Sequence, residues 1–104
     1  MARNNELDGS AKAGLLRALA FEIHRKRPGD EVLREYVDEQ YALGRRREIR
    51  ATDQALSERG FAAGLVALDL IGDETALVLE VLVNTKDHRS VAAALNGLAD
   101  VMER

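Results

Sequence analysis

The sequence predicts an α+β domain: two N-terminal helices, a β-hairpin over about 64–84 and a C-terminal helix. Three observations carry this. Leu15, Leu16, Leu19 and Ile23 recur at three- and four-residue steps, as on one face of a helix. Residues 64–84, GLVALDLIGDETALVLEVLVN, fold onto themselves in one register with a consistently apolar face. Val91, Leu95, Leu98, Ala99 and Met102 form a second helical stripe near the end. An all-α bundle is the alternative.

The first ten residues read as a polar lead, and 11–104 as one small globular domain. Asp8 or Ser10 can cap a helix running from Ala11 to about Lys26. Phe21 lies off its apolar stripe and suggests a second contact surface. Arg27-Pro28-Gly29-Asp30 breaks the chain, and Asp30 is the expected cap of a second helix. Val32, Leu33, Tyr36 and Leu43 share one side of that helix, with Val37 at its edge. Arg45, Arg46, Arg47 and Arg50 are placed late in it, where positive charge suits the dipole. Thr52 can cap a further short helix that Gly60 stops.

In the hairpin, a turn at Gly72–Thr75 pairs Leu70 with Leu77, Leu68 with Leu79 and Val66 with Val81. The opposite face then carries Ile71, Val78 and Leu82, with Asp69 and Glu80 as diagonal neighbours. Two helices over the same span are the competing reading. The second of them would be apolar on all sides and would need burial all round, which is hard in so small a domain. Asp87 or Thr85 caps the last helix.

Composition narrows function mainly by exclusion. Of 104 residues, 46% are apolar and 32% charged, which is ordinary globular usage, not disorder. There is no cysteine, hence no disulfide, thiolate metal site or cysteine nucleophile. No secretory h-region opens the chain, and no apolar run is long enough to span a bilayer. A cytoplasmic protein without membrane insertion is expected. The net charge is −3, split as +2 over residues 1–50 and −5 over 51–104, which is not the footprint of a strongly basic nucleic-acid binder.

Catalytic patterns are missing. His24 and His88 are far apart, and no H-x-x-x-H spacing exists for a metal. Ser10, Ser57 and Ser90 sit in no G-x-S-x-G elbow, and the isolated glycines form no phosphate-binding loop. Neither enzyme activity nor a cofactor is expected. Asp69 and Glu80 are instead candidates for a salt bridge across an interface, because an unpaired covered charge is costly. With Phe21, Ile71, Val78 and Leu82 they make up the expected contact surface. A hairpin with open edges and an apolar second face predicts a homo-oligomer, most simply a dimer.

The leading reading is thus a non-enzymatic protein–protein interaction module, a small bacterial-like adaptor or assembly subunit. The second is a nucleic-acid-binding regulator using Arg45, Arg46, Arg47 and Arg50, since guanidinium groups bind phosphates bidentately. Glu22, Asp30, Glu48 and Asp53 are close enough in sequence to neutralise part of that cluster. Ala55-Leu56, Phe61, Leu65, Leu68 and Gly72, and then the run from Leu95 to Arg104, resemble pieces of the cytoplasmic helical domain of type II secretion and type IV pilus platform proteins. The two pieces stand too far apart here for that domain, and the chain is not assigned to the family. An accessory subunit of a larger enzyme or secretion complex is the third reading.

Overall fold

The computed structural model describes residues 9–104, and among them there are helices and turns but no strand. Six helices follow one another: α1 (Gly9–His24), α2 (Gly29–Ala42), α3 (Arg46–Arg59), α4 (Phe61–Ala67), α5 (Asp73–Asn84) and α6 (His88–Met102).

The expected β-hairpin is therefore overturned: residues 64–84 hold the end of α4, a turn and all of α5. Gly72 caps α5 in an extended conformation, and Asp73 and Glu74 occupy its first turn, where negative charge suits the helix dipole. The Gly-Asp-Glu run that reads as a hairpin turn is a helix start. Satisfaction of the backbone explains the outcome. A lone hairpin leaves two edges of unpaired N–H and C=O groups, whereas a helix pairs its interior groups internally. The demand that α5 be buried all round also fails. Only Leu79 is buried, while Ala76, Leu82 and Val83 are half-buried against the core and the outer side stays exposed.

The core rests on α1 and α6, which have the most extensive contact in the molecule. They run antiparallel: Gly9 lies beside the carbonyl of Met102, and Ile23 shares a cavity wall with Val91. Leu16, Leu19, Ala20 and Ile23 from α1 bury with Val91, Ala92, Leu95 and Ala99 from α6. This is the pairing of the two stripes visible in the sequence. On its rim Arg17 bridges to Asp100 at 2.6 Å and also to Glu103. These groups are exposed, and such pairs contribute little.

The helices α2, α3 and α4 form the second layer. Their apolar sides bury Val32, Leu33, Val37, Ile49, Leu56, Phe61, Ala62 and Leu65. Val37, read from the sequence as an edge residue, is fully buried, and Leu43 lies past the helix end and is exposed. Gly60, with φ 99°, is the only residue between α3 and α4, a conformation open to glycine at little cost.

Helix caps differ from expectation. Ser10 lies inside α1, and Asp8 falls outside the described residues. Pro28, not Asp30, caps α2, while Asp30 Oδ1 accepts the N–H of Glu31. Thr52 does not start a helix; it is buried within α3. Asp87 does cap α6, accepting the N–H of Ser90 at 3.1 Å. Hydrogen bonding by the Ser90 side chain first, and then by its N–H, holds the Asp87 carboxyl below the usual aspartate range.

Three helices close through a non-glycine residue in the left-handed region: Lys26 (φ 71°), Asp69 (φ 61°) and Lys86 (φ 59°). At Lys86 the N–H bonds the Val83 carbonyl, and the next N–H, of Asp87, bonds Leu82. This double closure favours glycine, because a Cβ strains that conformation by about 1–2 kcal/mol. Lys86→Gly is expected to stabilise the fold by about 0.5–1 kcal/mol after the extra entropy of an unfolded glycine is subtracted. Urea denaturation with an unchanged m-value checks it.

Candidate interaction surface

Two surface regions stand out, and each follows from how a helix is anchored. The first is the outer side of α5. Leu79 turns this helix toward the core, so residues at the opposite helical positions face away. They include Leu77, Val78 and Val81, exposed by 66%, 58% and 61%. Exposure of that size at three neighbouring large apolar side chains on one helix differs from the scattered exposed leucines that any protein surface carries. Asp73, Glu74 and Glu80 are exposed on the same helix.

The interface residues expected from the sequence are dispersed. Val78 is exposed on α5, and Leu82 is half-buried beside it. Ile71 is only 8% exposed and belongs to the core, so it is unavailable to a partner. Asp69 and Glu80 are not cross-strand neighbours: Asp69 sits in the turn after α4, bonded to Lys12 at 2.9 Å, and Glu80 is on the surface of α5. Phe21 is 60% exposed on α1, with Arg25 over its ring at 5.6 Å. The hairpin register places Leu77 and Val81 on its inner face and so gives them no interface role. The helical spacing Glu74, Leu77, Val78, Val81 was the signal that could have found them.

The second region is the corner between α2 and α3. The chain leaves α2 at Ala42, turns through Gly44 at φ 82° and begins α3 at Arg46. The arginines are therefore not late in the second helix. They open the third, where the helix dipole opposes rather than favours them. Gly44, Arg46, Arg47 and Arg50 line one open cavity of about 510 Å³. Arg45 turns away to donate to Gln40 Oε1 at 2.9 Å.

Of the acids expected to neutralise this cluster, Glu22 and Asp53 are engaged elsewhere, Asp30 accepts the N–H of Glu31, and Glu48 lies exposed in the first turn of α3 beside the arginines. Glu22, with Glu31 and Glu35, holds Arg27. The Arg27 guanidinium in turn keeps the Glu35 carboxyl below its ordinary range. Asp53 receives Tyr41 Oη at 2.6 Å and Arg34 Nη1 at 2.6 Å. Among the described residues Arg46, Arg47 and Arg50 make no ion pair and no side-chain hydrogen bond. Arg17, Arg27 and Arg34 all do.

The Asp53 network ties α2 to α3, and no sequence spacing pointed to it. Arg34 also donates to Ser57 Oγ at 2.6 Å. Hydrogen bonds from Tyr41 first, and then Arg34, hold the Asp53 carboxyl below its ordinary value of 3.8. A depressed folded-state value means the carboxylate stabilises the fold above its unfolded-state value, and that this contribution is lost as pH falls through the folded-state value. Asp53→Asn should cost about 1 kcal/mol near neutral pH, at the low end for charge-assisted hydrogen bonds because the partners still meet water. The difference from wild type should shrink below about pH 4 as Asp53 itself protonates. Urea melts across that range check both statements.

Among the described residues no three His, Asp or Glu side chains come together as a metal site. No helix is long and apolar enough to cross a membrane. No family model, no curated protein and no solved structure matches the chain.

Proposed function

We propose that the protein is a protein–protein interaction module that docks a partner on the outer side of α5. The observation that carries this reading is the exposure of Leu77, Val78 and Val81 on a helix whose inner side holds it to the core. Burying such a face is favourable by roughly 25 cal/mol per Å² before the costs of association. The dimer expected from paired hairpins loses its basis, since neither hairpin edge nor hairpin face exists. The test is a photo-reactive residue at position 77 in the cell, with position 21 as an equally exposed control. Protein adducts specific to position 77 support the reading. Indistinguishable adducts at the two positions, or none, reject it.

The unpaired arginines favour a second reading, binding of a nucleic-acid backbone at the α2–α3 corner. Three guanidinium groups that displace counterions from duplex DNA predict a salt slope of about −3, from about 0.9 per phosphate. Anisotropy of a labelled duplex across a salt series measures it. Replacing Arg46, Arg47 and Arg50 with alanine should abolish the binding. Binding that survives the triple replacement, or that ignores salt, removes this reading.

A further inference from the structure

Resting on the proposed docking role of α5, we infer that its partner is a basic amphipathic helix rather than a second copy of this chain. Leu77, Val78 and Val81 form the apolar strip. Asp73 and Glu74 lie one turn before it and Glu80 flanks it on the side of a recess shared with Arg59 and Asn84; all three are exposed and none is engaged in an ion pair. An occupant of this face therefore meets apolar surface bordered by negative charge. Its complement is a helix with apolar residues at three- and four-residue steps and Lys or Arg beside them.

The same charges argue against self-pairing. In an antiparallel twofold pair of α5 helices, Val78 of each copy meets Val81 of the other. The dyad keeps both Glu80 side chains on one flank near the axis, so like charges are desolvated together, which opposes the contact. A helical partner docking beside α5 meets the acids with opposite charge instead.

The experiment uses the whole protein and three synthetic peptides of equal length. One has Leu on one face and Lys and Arg on its flanks. The second has Glu in place of the basic residues. The third has the composition of the first in scrambled order. Calorimetric titration reads binding, and sedimentation velocity reads self-association. The expected result is binding of the basic amphipathic peptide alone, with a monomeric protein. Leu77→Ser/Val81→Ser should weaken it at least tenfold, and Glu74→Lys/Glu80→Lys should do likewise while circular dichroism stays unchanged. Equal binding of the acidic or scrambled peptide, or of the double-serine variant, overturns the basic-helix partner. A wild-type dimer that the double-serine variant abolishes also overturns it, yet leaves α5 as the docking face. If neither binding nor association depends on residues 77 and 81, both readings fall.

Discussion

Leu16→Ala is expected to destabilise the protein by about 3 kcal/mol, while Leu77→Ala should change stability by no more than about 0.5 kcal/mol. Leu16 is fully buried where α1 meets α6. Truncating a leucine in such a place loses its transfer free energy and leaves a cavity that close-packed neighbours fill only in part, a cost of about 2–5 kcal/mol. A domain of this size is stable by roughly 5–15 kcal/mol. The melting temperature should therefore fall by about 10–25 °C. Leu77 makes the contrast informative. It is 66% exposed on α5, so its removal takes away almost no packing. In the hairpin register it would instead face Leu70, itself only 2% exposed, and its loss would cost as much as any core residue. Thermal and urea melts of the two variants thus test the position of α5 as well as the core.

Gly64→Ala is expected to destabilise by about 1–2 kcal/mol, although alanine is the better helix former. Gly64 lies within α4 where this helix approaches α2 and α3. A Cβ there would sit 2.6 Å from Leu33 Cδ2 and 3.5 Å from Leu56 Cβ. Leu33 has no exposure at all, so its methyl cannot swing into solvent. Overpacking of this kind costs about 1–3 kcal/mol, and the gain in helix propensity returns up to about 1 kcal/mol. Leu33→Val should relieve part of the strain. In a double-mutant cycle followed by urea melts, that substitution should cost less in the Gly64→Ala background than in the wild type. Equal costs in both backgrounds would place the close approach elsewhere.

Much of the helical half of the fold was legible from local pattern. The stripes Leu16, Leu19, Ile23 and Val91, Leu95, Ala99 are the two sides of the α1–α6 contact. The Pro28-Gly29 break, the stop at Gly60 and the Asp87 cap all stand where short-range sterics and hydrogen bonding put them. Residues 64–84 read as a hairpin and fold as helix because period-two and period-3.6 patterns cannot be told apart in a run as uniformly apolar as LVLEVLV. The deciding quantity there is nonlocal: which side of the segment its neighbours cover. The structure covers Leu79 and leaves Leu77, Val78 and Val81 outside, a choice set by the packing of α5 against α4 and α6.

The same division holds for the surface. Composition by itself established a chain without cysteine chemistry and with its negative charge in the second half. It also established the presence of four arginines within six residues. Whether Glu22 and Asp53 neutralise those arginines depended on where the two acids point, and they point to Arg27 and Arg34. Residues nearby in sequence compete for the same counter-charges, and only the packing of α1 on α2 and of α2 on α3 decides which pairs come within reach. Helix periodicity is a local property of the chain; exposure and ion pairing belong to the assembled bundle.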